Sequence, residues 1–163
     1  MKNLMIAASV AALSLVAPAL AHAETGVYGS VGYANIDIDP VTLGAIQGRL
    51  GLTFNPYVGI EGELGFGVAD DDILGTSVEL SSTYGAFVVG RIPVSETVNL
   101  LARAGFASGE VDVGGLSASE DGGAFGAGVE AFFTANDGVR LDYTRYDFGG
   151  DANVWAISYV RKF

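Results

Sequence analysis

Apolar and polar residues alternate with a period of two in eight segments of this chain. A period of two is typical of a β-strand whose two faces meet different surroundings. The alternation is clearest at the end of the chain, where Trp155, Ile157, Tyr159 and Phe163 fall on one face. The eight predicted strands cover residues 27–36, 45–54, 58–68, 78–89, 98–107, 123–133, 139–146 and 154–163.

The connections between these predicted strands alternate between longer polar loops and shorter turns. An even number of strands joined in this way is typical of up-and-down barrels in outer membranes. The sequence therefore predicts an all-β fold, an eight-stranded antiparallel up-and-down transmembrane β-barrel with both termini on the periplasmic side. The longer connections are residues 37–44, 69–77, 108–122 and 148–153, and the shorter ones are residues 55–57, 91–97 and 135–138.

A water-soluble, lipocalin-like barrel is the structural alternative, because it shows the same periodicity with its apolar face turned inward. Three features favour the membrane barrel: the chain ends on Phe163, lysine is scarce, and the apolar faces carry few charges. Arg161 departs from this pattern because it shares a face with Tyr159 and Phe163. An arginine near the membrane surface can extend its guanidinium group into water.

The beginning of the chain has the three parts of a secretory signal peptide. Lys2 supplies a basic start, residues 4–19 form an apolar run, and Ala21 and Ala23 are small residues before a cleavage point. A membrane anchor helix is the alternative, but the run is short for a span of about 20 residues. We expect a cleaved signal peptide over residues 1–23 and a barrel domain over residues 24–163.

Composition excludes several classes of function for the mature chain. The full chain carries a net charge of −11, which becomes −12 when Lys2 is removed with the signal peptide. Such a charge argues against binding to nucleic acid. The chain has no cysteine, and its single histidine, His22, lies in the signal peptide. We therefore expect no cofactor and no enzymatic activity.

Charged residues occur on the faces that are predicted to point into the barrel. The first interpretation is an ion-paired polar plug that fills the lumen, and the alternative is a narrow, cation-selective pore. Acid–base catalysis by Glu61 and Glu63 is a third hypothesis, but a nearby Arg49 should keep both carboxylates ionised. The inward set contains five acidic and three basic residues, Arg49, Glu61, Glu63, Glu79, Arg103, Glu130, Arg140 and Asp142.

The short turns also predict which residues face each other across neighbouring strands. A turn at residues 55–57 pairs Phe54 with Val58 and Arg49 with Glu63. A turn at residues 136–138 pairs Phe133 with Leu141 and Glu130 with Thr144.

Two further motifs have a structural and a functional interpretation. Asp70, Asp71 and Asp72 form a charge run in a predicted outer loop, which is either a solvated loop or a weak candidate for divalent cations that bridge to lipopolysaccharide phosphates. Residues 122–128 are rich in glycine and could cradle a phosphate, but small residues also suit a crowded barrel interior. The predicted interface aromatics are Tyr57, Tyr84, Tyr143, Trp155, Tyr159 and Phe163.

Two stretches carry a resemblance to the OmpA/OmpX-like family of outer-membrane β-barrels. Residues 44–67, GAIQGRLGLTFNPYVGIEGELGFG, resemble the second and third strands of that family, and residues 139–163, VRLDYTRYDFGGDANVWAISYVRKF, resemble its last two. The resemblance implies a lumen blocked by ion pairs and an assembly signal at Tyr159 and Phe163, which the barrel-assembly machinery would read.

The sequence thus predicts a non-enzymatic protein of the outer membrane of a Gram-negative bacterium. Its expected roles are membrane integrity and contact of acidic outer loops with adhesion partners or ligands, and its expected partners are membrane lipid and lipopolysaccharide. We expect a monomer. The alternative function is a narrow porin-like channel for small solutes or cations.

Overall fold

Nearly all the described residues of this protein lie in β-strands in its computed structural model. The structure describes residues 26–38, 41–69, 71–73, 76–113, 116–147 and 150–163. The predicted signal peptide, residues 1–23, lies outside these ranges. Among the described residues, no helix has the length and apolar character needed to cross a membrane.

The strands follow one another with short connections. The first five are β1 (Gly26–Ile38), β2 (Val41–Asn55), β3 (Val58–Ala69), β4 (Asp71–Ile73) and β5 (Thr76–Pro93). The last four are β6 (Val98–Val113), β7 (Leu116–Phe132), β8 (Asp137–Asp147) and β9 (Asp151–Lys162).

The sheet closes on itself, so the fold is a barrel. The order of neighbouring strands is β3-β2-β1-β9-β8-β7-β6-β5, and β3 pairs again with β5. Every one of these pairings is antiparallel. The short strand β4 follows β3 and also pairs with β5, so β3 and β4 together count as one barrel strand. The structure therefore confirms the predicted eight-stranded antiparallel up-and-down barrel.

The barrel has two different ends. We call the end with residues 55–57, 94–97 and 133–136 the terminal end, because β1 starts there and the chain finishes there. The other, the hairpin end, is where Ile38 pairs with Val41, Ile73 with Thr76, Val113 with Leu116 and Asp147 with Asp151. The connections that the sequence predicts at this end are too long, because residues 37–38, 41–44, 69, 71–73, 76–77, 108–113, 116–122 and 151–153 belong to strands. Polar strands that extend into water need no apolar face, so their sequence lacks the alternation that marks a strand.

The apolar face of the barrel points outward and the charged face points inward. Leu50, Leu64, Phe106 and Ile157 are 57–73% exposed, whereas Arg49, Glu61, Glu63 and Arg140 are 5% exposed or less. A soluble barrel would have the opposite arrangement. The outer surface is therefore matched to lipid.

Aromatic residues lie near both edges of the apolar outer surface. Tyr57, Phe133, Tyr159 and Phe163 lie toward the terminal end, and Tyr84, Phe106, Phe125 and Trp155 lie toward the hairpin end. Two aromatic girdles of this kind are typical of barrels at the two membrane interfaces. Five of the six predicted interface aromatics are exposed, and the sixth, Tyr143, packs its ring 5.0 Å from that of Trp155.

A bulge near the first short turn corrects one predicted pairing. Arg49 lies opposite Glu63, as the sequence predicts, and Leu52 lies opposite Ile60. The predicted Phe54–Val58 pair is wrong, because the register shifts between Thr53 and Asn55, and Asn55 pairs with Val58 instead. Such a bulge reverses the face of the extra residue, and the Phe54 side chain is buried although the alternation predicts it on the outer face.

The predicted register between β7 and β8 is wrong for a different reason. Glu130 lies opposite Arg140, and Thr144 lies opposite Gly126. The turn is at residues 133–136, because the Thr134 hydroxyl accepts hydrogen bonds from the backbone N–H groups of Asn136 and Asp137. This side-chain turn starts β8 at Asp137, two residues before the sequence predicts.

Candidate functional site

The charged residues meet in the middle of the lumen because of where their strands lie around the barrel. In the closed order, β3 and β8 are four strands apart in either direction and therefore face each other across the lumen. Glu61 and Glu63 lie on β3, and Arg140 and Asp142 lie on β8. Each pair is spaced by two residues, so both of its side chains point inward.

Glu61 is the acceptor of the bridge that crosses the full width of the barrel. Nη1 of Arg140 donates to Oε2 of Glu61 at 2.7 Å. The Tyr28 hydroxyl donates to the same oxygen at 2.9 Å, and Nη1 of Arg103 lies 3.6 Å from Oε1. The side chain of Glu61 is fully buried, so these donors replace the water that the carboxylate loses.

Glu63 and Arg49 form the second part of the same cluster. Nε of Arg49 and Nη2 of Arg103 donate to Oε2 of Glu63 at 2.8 and 2.7 Å, and the Tyr146 hydroxyl donates to Oε1 at 2.6 Å. Arg49 also donates to both oxygens of Asp142, at 2.7 and 3.0 Å. Nε of Arg140 donates to Asp142 at 2.7 Å. Three arginines thus balance three carboxylates.

A separate pair lies nearer the terminal end. Nε of Arg91 donates to Oε1 of Glu130 at 3.1 Å, and the Asn99 amide donates to the same oxygen at 3.0 Å. The guanidinium of Arg91 lies over the Tyr28 ring, 4.5 Å from its centroid. Since the larger cluster is neutral, this pair leaves the described part of the lumen neutral as well.

Seven of the eight predicted lumenal residues are buried in these two clusters, and the side chain of Glu79 lies outside the described residues. The sequence predicts five acidic and three basic residues in the lumen. Among the described side chains there are four of each, because Arg91 is a fourth arginine in the lumen. The sequence predicts a turn from residue 91, but β5 continues to Pro93. Continuing the alternation from Phe87 and Val89 would have found Arg91. The other lumenal partners that the prediction missed are Tyr28, Asn99 and Tyr146, and Gln47, which accepts from Arg49 at 2.6 Å.

Apolar side chains fill the lumen on both sides of the charged cluster. Tyr28, Phe132 and Val160 form a buried group toward the terminal end. Toward the hairpin end, the buried residues include Ala34, Ile36, Leu43, Ala45, Ala124, Ala152, Val154 and Ala156. An eight-stranded barrel is just wide enough for its own side chains, and these apolar side chains lie in it above and below the charges.

Some buried polar atoms have no hydrogen-bond partner in the described structure. They include Nη1 of Arg91 and Nε and Nη1 of Arg103, together with the hydroxyls of Ser30 and Thr144. Buried polar groups are normally satisfied, and small polar gaps hold ordered water. The charged layer is therefore a place for a few bound water molecules.

The other predicted sites fall in three places. Asp70 and the side chains of Asp71 and Asp72 lie outside the described residues, and no group of three potential metal ligands occurs in the part of the chain whose side chains are described. The glycine-rich residues 122–128 lie within β7, where no helix follows to offer an anion site. Tyr159 and Arg161 both bind Asp137 on the outer surface, so the arginine on the apolar face has a partner at the terminal end.

Comparisons with known proteins agree with this architecture. Residues 5–163 match the family described as an outer membrane protein beta-barrel domain. No curated protein matches the chain. Among solved structures, the chain is similar to Ail of Yersinia pestis, solved with the heparin analogue sucrose octasulfate, with 18% identity, a TM-score of 0.65, and coverage of 86% of this chain and 99% of that one.

Two barrels of Pseudomonas aeruginosa have the same fold. The N-terminal domain of OprF gives a TM-score of 0.64 at 11% identity, covering 85% of this chain and 99% of that one. OprG gives a TM-score of 0.63 at 10% identity, covering 86% and 96%. At such low sequence identities, these comparisons show a common fold alone.

Proposed function

This chain belongs to the family of outer-membrane β-barrel domains, and from that premise we propose that it is a non-enzymatic structural and surface-interaction protein. The barrel supports the integrity of the outer membrane, and its hairpin end faces the cell exterior and contacts cationic ligands. Both termini then lie in the periplasm. The mature protein begins at Glu24 after removal of residues 1–23, and it acts as a monomer.

The distribution of charge is the observation that carries this proposal. Twelve of the nineteen acidic residues lie in four segments at the hairpin end, residues 37–44, 69–79, 108–122 and 145–153, and Arg145 is the one basic residue in these segments. The lumenal charges cancel within buried ion pairs. Nearly the whole net charge of the mature chain therefore belongs to the hairpin end.

The lumenal carboxylates support a structural role better than a catalytic one. Glu61 and Glu63 each accept hydrogen bonds from an arginine and a tyrosine, and buried apolar residues lie in the lumen on both sides. Because both carboxylates are buried and hydrogen-bonded, neither is placed to exchange a proton with a substrate. The mature sequence also lacks histidine and cysteine, on which many hydrolytic mechanisms depend.

Membrane contacts follow from the outer surface. The apolar face and its two aromatic girdles contact lipid and lipopolysaccharide. Divalent cations held by acidic residues such as Asp70, Asp71 and Asp72 would link the hairpin end to lipopolysaccharide phosphates. Tyr159 of β9 and the following Phe163 serve as the signal for the barrel-assembly machinery.

The ligand class of this chain differs from that of its structural neighbour. Ail was solved with a heparin analogue, which is a polyanion. An acidic hairpin end repels polyanions and attracts polycations, because like charges on facing surfaces are unfavourable.

A surface-binding experiment tests the proposal. The barrel in phosphatidylcholine nanodiscs is expected to bind fluorescent polylysine, with an affinity that falls as salt rises, and to bind sucrose octasulfate weakly. The triple variant Glu110→Gln, Glu120→Gln, Asp121→Asn should weaken the polylysine binding several-fold, whereas Glu96→Gln at the terminal end serves as the control. Equal binding by the triple variant, or tighter binding of the polyanion, would refute the proposed surface role.

A narrow channel for small solutes or cations is the second candidate function. The buried N–H groups of Arg91 and Arg103 that lack hydrogen-bond partners favour it, because such groups are normally satisfied by water inside the protein.

A further inference from the structure

Two basic residues lie on opposite walls at the terminal mouth, the opening of the lumen at the terminal end. Arg91 is on β5 and Lys162 is on β9, and these strands are four strands apart in either direction around the closed sheet. The backbone N–H of Arg91 donates to the carbonyl of Tyr57 at the first terminal-end turn, at 2.7 Å, so Arg91 lies beside the rim. The even-numbered residues of β9 up to Val160 are buried, and Lys162 continues their face at the exposed end of the strand.

Both cations lie over aromatic rings of one buried apolar group. The guanidinium carbon of Arg91 is 4.5 Å from the centroid of the Tyr28 ring, and Nζ of Lys162 is 3.5 Å from the centroid of the Phe132 ring. Tyr28 and Phe132 belong to the same buried group as Val160. The face of an aromatic ring holds a cation favourably, so this group keeps the two positive charges together at the mouth.

The two cations share a single lumenal carboxylate at the described part of the mouth. Nε of Arg91 donates to Oε1 of Glu130 at 3.1 Å, and Lys162 is close enough to both residues to interact with them electrostatically. Asp137 also belongs to this end, but it lies on the outer surface, where Arg161 donates to it at 2.9 Å. The mouth therefore has one positive charge that Glu130 does not balance.

One donor at the mouth has no acceptor among the described residues. Nη1 of Arg91 is buried without a hydrogen-bond partner, and Arg91 as a whole is only 7% exposed. Buried N–H groups are normally hydrogen-bonded. Glu130 already accepts through Oε1 from Nε of Arg91 and from the Asn99 amide. The unbalanced positive charge of Lys162 makes an anion a better acceptor for Nη1 than a water molecule.

We propose that the terminal mouth binds a phosphate group, either as inorganic phosphate or as the phosphate of a small monoester. Its oxygens accept from Nη1 of Arg91 and from Nζ of Lys162. Phosphate suits donors on opposite walls because its tetrahedral oxygens point in different directions, whereas the two oxygens of a carboxylate lie on one side. With both termini in the periplasm, the ligand is a periplasmic one. The site goes beyond the surface role proposed above, because it lies at the other end of the barrel and takes a ligand of opposite charge.

Titration of the barrel with phosphate in phosphatidylcholine nanodiscs tests this site. Backbone amide shifts are followed by NMR in phosphate-free buffer, with chloride at equal ionic strength as the control. We expect saturable shifts at the amides of Phe132, Val160 and Lys162 and none at Glu120 of the hairpin end. Glycerol 3-phosphate is titrated in the same way. Binding of either compound supports the site, and the tighter of the two identifies the source of the phosphate group.

Removal of one cation at a time separates a built site from general charge attraction. Lys162→Met should weaken phosphate binding about tenfold, because it removes one of two charged donors. Arg161→Met is the matched control, since it removes an equal charge from the outer face of the same strand, and it should bind normally. Arg91→Gln should weaken binding by a similar factor. Lys162 is exposed and Lys162→Met leaves the pair of Arg91 and Glu130 in place, so the test stands even if the Arg91 variant fails to fold.

The outcomes decide between the two explanations. Weaker binding by Lys162→Met with normal binding by Arg161→Met supports the phosphate site. Equal binding by these two variants, equal shifts with chloride, or the absence of saturable shifts with both phosphate compounds would overturn it. Polylysine binding at the hairpin end does not involve Lys162, so either proposal can fail without the other.

Discussion

Replacing Arg49 by methionine is expected to lower the free energy of unfolding by about 3–5 kcal/mol, because it leaves buried carboxylates with too few donors. Arg49 donates to Glu63 and to both oxygens of Asp142, and its side chain is almost fully buried. Without it, Asp142 keeps only the bond from Arg140, and Glu63 keeps those from Arg103 and Tyr146. Urea unfolding from lipid vesicles measures the change.

Two further variants show whether the loss comes from the buried cluster. Arg145→Met breaks an exposed pair with Asp151 and should leave stability nearly unchanged, because exposed pairs contribute little. Arg49→Met combined with Asp142→Asn should cost less than the sum of the two single changes. β2 and β8 are not neighbours in the sheet, so this coupling depends on closure of the barrel. Additive effects would mean that the two side chains do not meet.

Gly105→Ala is expected to destabilise the barrel by about 3 kcal/mol, because the added methyl group has no room. A Cβ at this position would lie 2.0 Å from the backbone oxygen of Ala86 and 2.7 Å from Cα of Phe87, so β5 and β6 would have to separate. Gly48→Ala is the matched control, since nothing lies within 4 Å of a Cβ there. The yield of folded barrel in vesicles and the unfolding midpoint in urea measure both variants. Equal stability of the two would contradict the close approach of β5 and β6.

The sequence predicted the barrel and its inward charges because both depend on a local property, the period of two. Alternation alone assigns Arg49, Glu63 and Arg140 to one face of their strands without knowledge of neighbouring strands. It failed where a residue interrupts the period, as at the bulge that buries Phe54. It also failed where a side chain fixes the turn, as Thr134 does, because turn geometry sets the register of the following strand.

Contacts across the lumen could not be predicted from the pairing of neighbouring strands. The bridge from Arg140 to Glu61 joins two strands on opposite sides of the barrel. Which residues meet there depends on the stagger of all eight strands and on the reach of long side chains. The strand that runs through residues 116–122 could not be predicted either, because these polar residues resemble a loop when strand pairing is unknown.

Single-channel recording in planar bilayers tests the central claim, that the lumen is closed and the protein acts through its surface. The charged cluster spans the barrel from β3 to β8, and buried apolar side chains lie on both sides of it. We predict a small or intermittent conductance for the unmodified barrel. A steady, large, water-filled conductance would contradict the account and establish the narrow channel in its place.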